Sequence, residues 1–543
     1  MIRFQPKLLE TLRGYDRKTF IHDLSAGVTV GVLAIPLAMA FAIASGVSPS
    51  SGLWTAIIAG FIISVCGGSK VQIGGPTGAF IPILFAIAAR HGISNMLAAT
   101  FLAGVLLVAM GLTRMGSLIR FIPVSVVIGF TNGIAVVIGL SQIKDFFGLP
   151  VDSLPAEFFA RMKALVEYVP RMDPYAAGLA IGTTALVFAW SRVVERFPRL
   201  VVLPAQLVGL IAGTLVAVIF HLPVETIGTR FNGIPQEIPM PSIPFPSLSV
   251  LGRLLVPAIT IALLGAIESL LSARVADNQI DDRHDPNQEL VAQGMANIVV
   301  PFFGGIAATG AIARTSTNVK AGGRTPIAGV VHSVTLLLIV LVAAPLASWV
   351  PISVLAAIVM VTAIRMGEWH EFGRLRHFSW NYGVILMATF LLTVVFDLTI
   401  AVEIGMVLAS LFFIYRMQGL TNIELADSKL PPSIQLYRLR GSLFFGAIAR
   451  LESQFDPAKT DALVVVLDMS SLLNIDTTGV DWLQALCKTL TRKQCSLVLF
   501  GLNHQPASII QRSGLAALIG AQNLCTDEYE ALLRTHKILE END

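Results

Sequence analysis

The chain has 543 residues, 54% hydrophobic and only 13% charged, with a mean hydropathy of +0.73. Soluble domains carry about 25% charged residues, so this composition excludes an ordinary soluble globule and indicates a polytopic membrane protein. A formal net charge of +3 is too small to imply nucleic acid as a partner, and the four cysteines lack metal-ligand spacing and read as reduced structural thiols.

A charged lead with Lys7, Arg13, Arg17 and Lys18 precedes the first apolar stretch, near Leu24. No small-residue cleavage site follows, so the stretch reads as a permanent span and not a signal peptide. Apolar segments then fall near 24–45, 51–66, 77–90, 93–113, 122–141, 174–191, 201–221, 254–273, 289–303, 314–322, 326–349, 351–366, 379–396 and 398–416. These are fourteen elements in two groups of seven, and an odd number per half inverts the second half relative to the first. Arg114 and Arg120, then Arg192, Arg196 and Arg199, then Arg365, Arg374 and Arg376 share one side if the N-terminus is cytoplasmic. The positive-inside rule then puts both termini in the cytoplasm.

Segments 77–90 and 314–322 are too short to cross a bilayer at about 1.5 Å of rise per residue. Each follows a run of small residues: Gly74-Gly75-Pro76-Thr77-Gly78-Ala79 and Gly304-Gly305-Ile306-Ala307-Ala308-Thr309-Gly310-Ala311. Irregular backbone at membrane depth is tolerated only where protein buries it or where it lines a cavity, so both are expected to be half-helices beside a binding site. Pro36 is expected to break the first span, with Pro257 in the corresponding span of the second half and Phe41 placed to wall the site.

Two charges stand inside the apolar segments. Glu268, in Leu263-Leu264-Gly265-Ala266-Ile267-Glu268, shares a helical face with Ser272. A carboxylate there costs about 2.5–3.5 kcal/mol on insertion scales and is functional by default. Arg314 opens the second short segment, where a helix N-terminus already offers unpaired N–H groups and partial positive charge. If the two short helices aim their N-termini at each other, they make a positive pocket in which Arg314 holds an oxyanion or carboxylate. The Thr77 and Thr315 hydroxyls are expected to cap the helices and to donate to a ligand. The alternative is an Arg314–Glu268 ion pair that serves packing alone.

Past residue 425, the stretches 463–468 and 496–501 read as buried strands, 480–486 has helical spacing and 527–535 reads as a closing helix. Together they form a small α/β domain after a linker over 421–433. No nucleophile–base pair or metal cluster stands out, which argues against an enzyme and against a metal site.

The stretches Ile35-Pro36-Leu37-Ala38-Met39-Ala40-Phe41-Ala42, Gly74-Gly75-Pro76-Thr77, Gly129-Phe130-Thr131-Asn132-Gly133, Gly265 to Leu271, and Pro301-Phe302-Phe303-Gly304-Gly305 through Arg314 resemble the SulP family of sulfate-permease-type anion transporters with a cytoplasmic STAS domain. The resemblance implies an N-terminal segment over 1–23, a transporter domain over 24–420 and a STAS domain over 434–543. It implies a core of spans 1–4 and 8–11, a gate of spans 5–7 and 12–14, a homodimer and elevator-like movement. Thr77, Gly78 and Ala79 with Ala313, Arg314 and Thr315 would hold the anion, and Glu268 with Ser272 would take the coupling H+ or Na+, with no cofactor. Many sulfate and chloride/bicarbonate members carry Gln where this chain has Leu37. The sequence looks most like the DauA-type bacterial branch, which ranks a C4-dicarboxylate such as succinate first, carried by proton symport across the bacterial inner membrane. Sulfate or bicarbonate comes next, and an uncoupled channel of the same fold after them. Asp468-Met469-Ser470 and Asp476-Thr477-Thr478-Gly479 resemble the STAS pattern of anti-sigma-factor antagonists, with Thr477 at the place that can be phosphorylated. A structural or regulatory role, with a cytoplasmic protein partner, is expected of Asp476 and Thr477.

Overall fold

A computed structural model of the protein describes residues 4–542 apart from 118–122, 152–153, 156, 198–202, 243–247, 397 and 427–429. Arg120 and Arg199 lie outside the described residues. The chain forms two compact units, Met1–Met406 and Val407–Asp543.

Every apolar segment coincides with a helix, because in an apolar run only the helix satisfies its own backbone. In the first group these are α1 Arg17–Ala44, α2 Pro49–Cys66, α3 Ile81–His91 (entered through a 3-10 turn, Gly78–Phe80), α4 Ile93–Leu112, α5 Val124–Phe146, α6 Pro174–Arg196 and α7 Ala205–Ile219. The second group is α8 Leu248–Ile280, α9 Pro286–Val299, α10 Ile312–Lys320, α11 Ile327–Ala347, α12 Ile352–Met366, α13 Trp380–Val395 and α14 Leu398–Leu420. Among the described residues, eight helices are long and apolar enough to cross a membrane unaided.

The proline expectation is corrected. α1 runs unbroken through Pro36, and α8 through Pro257. Neighbouring helices cover the backbone groups that a proline frees, so a membrane helix tolerates one where an exposed helix would not.

Small residues set which helices touch. A Cβ on Gly104 of α4 would lie 2.6 Å from the Ile298 nitrogen of α9, and one on Gly294 of α9 would lie 2.6 Å from the Gly104 oxygen. Backbones this close need two facing glycines, the small-residue packing of membrane helices. α4 and α8 pack with α9, and α1 with α2 and α11; separately, α5 packs with α12 and α13, and α6 with α7 and α12. Arg365 at the end of α12 donates to Ser191 near the end of α6 at 2.6 Å, so Arg192, Arg196 and Arg365 gather at one end of the unit.

The second unit is built on a sheet ordered β3–β4–β5–β7–β8, with β6 also pairing β4. Its strands are β3 Asn422–Leu425, β4 Ile434–Leu443, β5 Val464–Asp468, β6 Leu472–Ile475, β7 Ser496–Phe500 and β8 Leu524–Cys525. Among the described strands of this sheet only β3 is antiparallel to its neighbour. Val464-Val465-Val466-Leu467-Asp468 is buried along its whole length, as a parallel strand covered on both faces must be. One face packs on α15 Thr477–Arg492, through Val465, Leu467 and Leu483; the other packs on α16 Glu528–Asn542, through Val464, Val498 and Ile538. β3 falls inside the stretch expected to be linker: it pairs Ile423 with Leu439 and extends the sheet.

Candidate functional site

The two glycine runs meet. β1 Gly74–Gly75 pairs antiparallel with β2 Thr309–Gly310, in the register Gly74↔Gly310 and Gly75↔Thr309. The backbone continues the pairing, as Ala311 N–H donates to the Ile73 carbonyl at 2.9 Å. α3 and α10 leave this crossing in opposite directions. α2 ends and α9 begins at one end of the unit, where Asp285 N–H donates to the Gly68 carbonyl at 3.0 Å, and Gly111 near the end of α4 lies against Asn287 there. α10 heads for that same end, its Asn318 side chain donating to the Val71 carbonyl at 2.9 Å. α3 must therefore run away from it, because α4 returns from Gly92. The two N-termini face each other across the strand pair, with their partial positive charges together.

The crossing is held by side chains that sequence reasoning missed. Asn297 of α9 receives the Ala308 N–H and donates to the Ala308 carbonyl, each at 2.8 Å, copying a strand partner. Thr55 of α2 receives the Ile306 N–H at 2.7 Å. Ser269 of α8 lies 2.8 Å from Thr309 Oγ1, which donates to the Gly265 carbonyl at 3.0 Å. Non-helical backbone at this depth needs such partners. The signal for all three was a polar residue inside an apolar run.

Arg314 stands in the first turn of α10, two residues inside the Ile312 start and not at its opening, and only 2% of it is exposed. Its Nη2 donates to the Pro76 carbonyl, at the threshold of α3. Its Nη1 is buried with no partner among the described residues, against Gly75. Among the described residues no carboxylate lies within ion-pair distance, so the Arg314–Glu268 pair does not form. Gly75 sits at φ +146°, where a side chain is disfavoured and a Cβ would come 2.5 Å from Nη1.

The threonine caps are corrected as well. Neither short helix has a side-chain cap. Thr77 Oγ1 is buried without a partner among the described residues. Thr315 Oγ1 instead receives the Ile73 N–H at 3.1 Å and the Ser272 hydroxyl at 3.2 Å. Ser272 is fully buried, so its hydroxyl serves α10 directly. Glu268, one turn earlier on α8, is 9% exposed and has no hydrogen-bond or ion-pair partner among the described residues.

Gly78 and Ala79, at the N-terminus of the first short helix, are buried, whereas Ala313 of α10 is exposed. A Cβ on Gly78 would meet Ile138 of α5 at 3.1 Å and the Phe41 ring at 3.7 Å. Phe41 therefore walls the N-terminus of the first short helix, with Leu37 one turn back on the same face of α1. Ile138 carried no signal in the sequence. Beyond it a cavity of about 1130 Å³ is lined by Ile81, Pro82 and Phe85 of α3 and Val137 and Ser141 of α5.

In the second unit Asp476 caps α15, receiving Gly479 N–H at 2.8 Å and Phe445 N–H at 3.1 Å. Thr477 is the exposed first residue of that helix. The cysteines Cys487, Cys495 and Cys525 are free and buried there, and burial raises the Cys495 thiol to about 11. Glu368, His370 and Glu371 bring ligand atoms within 4.8 Å of one another, but the buried Glu371 already accepts from Arg374 at 2.5 Å and from Tyr382 at 3.3 Å.

Comparison with known proteins gives the same outline. Residues 20–389 match the sulfate permease family and residues 426–531 match the STAS domain. The chain is 42% identical over 519 residues to the putative sulfate transporter YvdB of Bacillus subtilis (strain 168), covering 94% of this chain and 97% of that protein. The structure of the transmembrane domain of a cyanobacterium bicarbonate transporter, BicA, is 31% identical with a TM-score of 0.65, over 72% of this chain and 98% of that one. The overall structure of SLC26A9 shares the fold, with a TM-score of 0.86 at 18% identity over 99% of this chain and 93% of that one.

Proposed function

The chain belongs to the sulfate permease family and is an anion transporter, not an enzyme; from that premise we propose that it carries a small inorganic oxyanion, sulfate first and bicarbonate second, by coupled symport. One observation carries the choice of site: two opposed helix N-termini with the unpartnered Arg314 Nη1 and Thr77 Oγ1 buried between them. A buried donor without a partner costs free energy that a bound oxyanion recovers. Thr77, Gly78 and Ala79 offer N–H groups from one helix, and Ala313, Arg314 and Thr315 offer a guanidinium and N–H groups from the other. Glu268, on the helix that also holds β2 and Thr315, is the group for the coupling H+ or Na+. Relatives named as sulfate and bicarbonate transporters support the inorganic anions over the C4-dicarboxylate expected from the DauA-type resemblance.

A second reading keeps the dicarboxylate. Leu37, beside Phe41, presents no amide to the site, which leaves one wall apolar and suited to the methylenes of succinate. In either reading the helices around the crossing move as the core against α5–α7 and α12–α14, the protein is a homodimer in a bacterial inner membrane with both termini cytoplasmic, and the STAS domain receives a cytoplasmic partner near Asp476 and Thr477. Uptake of labelled sulfate, bicarbonate and succinate into proteoliposomes, at two pH values with and without sodium, tests the substrate and the coupling together. Saturable succinate uptake with no sulfate or bicarbonate uptake favours the second reading; no coupled uptake of any of the three refutes both.

A further inference from the structure

A second group of cations surrounds a crevice away from the crossing. It measures about 310 Å³ and lies between the outer half of α3, α5, the start of α8 and the end of α13. Its walls are apolar, with Ile83 and Ile87 from α3, Ile134 and Val137 from α5, and Val256 from α8. Its rim is basic: Arg90, His91, Arg161 and Arg253, with no Asp or Glu in the lining among the described residues. Arg161 is buried, its Nε donating to the Pro155 carbonyl at 3.0 Å and its guanidinium 5.9 Å from the centre of the Phe85 ring. Arg90 and Arg253 are exposed, and neither has a carboxylate within ion-pair distance among the described residues.

Arg90 and His91 sit in the last turn of α3, where cations answer the helix dipole. That accounts for these two, but not for Arg253, which reaches the same crevice from another helix. Side chains beside the opening face outward: Val256 is 65% exposed and Phe396 69%. Val256 stands on a helix long and apolar enough to cross a membrane, where an outward side chain faces lipid. A small hydrated anion gains nothing from apolar walls, whereas an anion joined to a hydrocarbon chain uses both walls and rim.

We propose that this crevice binds an anionic phospholipid. Its phosphate lies between Arg90 and Arg253, whose planar forks match phosphate oxygens, with Arg161 behind them. One acyl chain lies along Ile87 and Val256. Guanidinium groups beside an apolar crevice answer both parts of such a lipid, headgroup and chain. The assignment is independent of which anion the protein transports.

The test uses the full chain in phosphatidylcholine nanodiscs doped with photoactivatable phosphatidylglycerol. Labelled peptides are expected from α3 and the start of α8, with labelling reduced about tenfold in the Arg90→Gln/Arg253→Gln double variant, which loses two charge-assisted contacts. Val256→Trp fills the crevice without removing charge, and it is expected to lower labelling as well. That variant decides the matter if the double variant does not fold. Undiminished labelling in the variants overturns the proposal. So does displacement of the lipid by inorganic sulfate beyond that caused by chloride at equal ionic strength, which makes the rim a site for soluble anions.

Discussion

Ser272 on α8 donates to Thr315 Oγ1 on α10 at 3.2 Å, and the same oxygen receives the Ile73 N–H at 3.1 Å. One hydroxyl thus joins the helix that bears Glu268, the approach to β1 and the helix that bears Arg314. Removing either hydroxyl loosens the same joint. Ser272→Ala and Thr315→Val are each expected to raise the KM for the anion several-fold and to be non-additive when combined, by about 1 kcal/mol, as for residues sharing one hydrogen-bond network. A double-mutant cycle on uptake kinetics measures this, and additive effects contradict the shared joint.

Arg314→Ala is expected to abolish uptake while leaving the protein monodisperse in detergent. Arg314→Lys is expected to recover little of it, because an ammonium cannot reach the Pro76 carbonyl and present a second donor to the anion in one plane. Initial rates in proteoliposomes, normalised to reconstituted protein, give the comparison.

Glu268 has no partner to lose among the described residues, so Glu268→Gln is expected to spare folding and remove the dependence of uptake on pH or sodium. Anion exchange across the vesicle should persist. Unchanged coupling in this variant moves the coupling site elsewhere.

Gly75→Ala places a Cβ against Arg314 Nη1 at a backbone φ of +146°. Uptake is expected to fall at least tenfold, about 1.4 kcal/mol, through displacement of the guanidinium. Gly182→Ala, on α6 with open space around it, serves as the silent control.

In the second unit burial alone raises the Asp468 carboxyl, but hydrogen bonds from Ser470 and from Arg438 at 2.9 Å outweigh it and hold the group below the usual carboxylate range. A lowered folded value means that the stabilisation is complete above the unfolded carboxylate range, about pH 4, and is lost as pH falls through the folded value. Arg438 is 42% exposed, so solvent screening limits the pair to about 1 kcal/mol. Melts of the separately expressed unit should show Asp468→Asn less stable than the parent at pH 7 and the gap closing in acid.

Hydropathy made the fourteen helices legible because each buries its own backbone bonds within one apolar run. The glycine runs were legible for the opposite reason, as places where that solution fails. What joins them was not. Arg314 and the Pro76 carbonyl lie 238 residues apart, and nothing local distinguishes a carbonyl partner from the carboxylate of Glu268. Pro36 looked like a break because packing that covers its neighbours is invisible in the sequence of one helix. β3 hid inside the linker because Asn422-Ile423-Glu424-Leu425 offers one buried residue among exposed ones, which is too weak a pattern for a strand.

The β1–β2 register has a consequence for how the gene can change. Removing one residue from either crossing shifts Gly74 or Gly310 out of register and turns the helix that follows by about 100°. Pro76 would then no longer meet Arg314. The two glycine runs, 230 residues apart in the chain, are locked to each other in length, and a deletion in one is repaired by a matching change in the other or not at all.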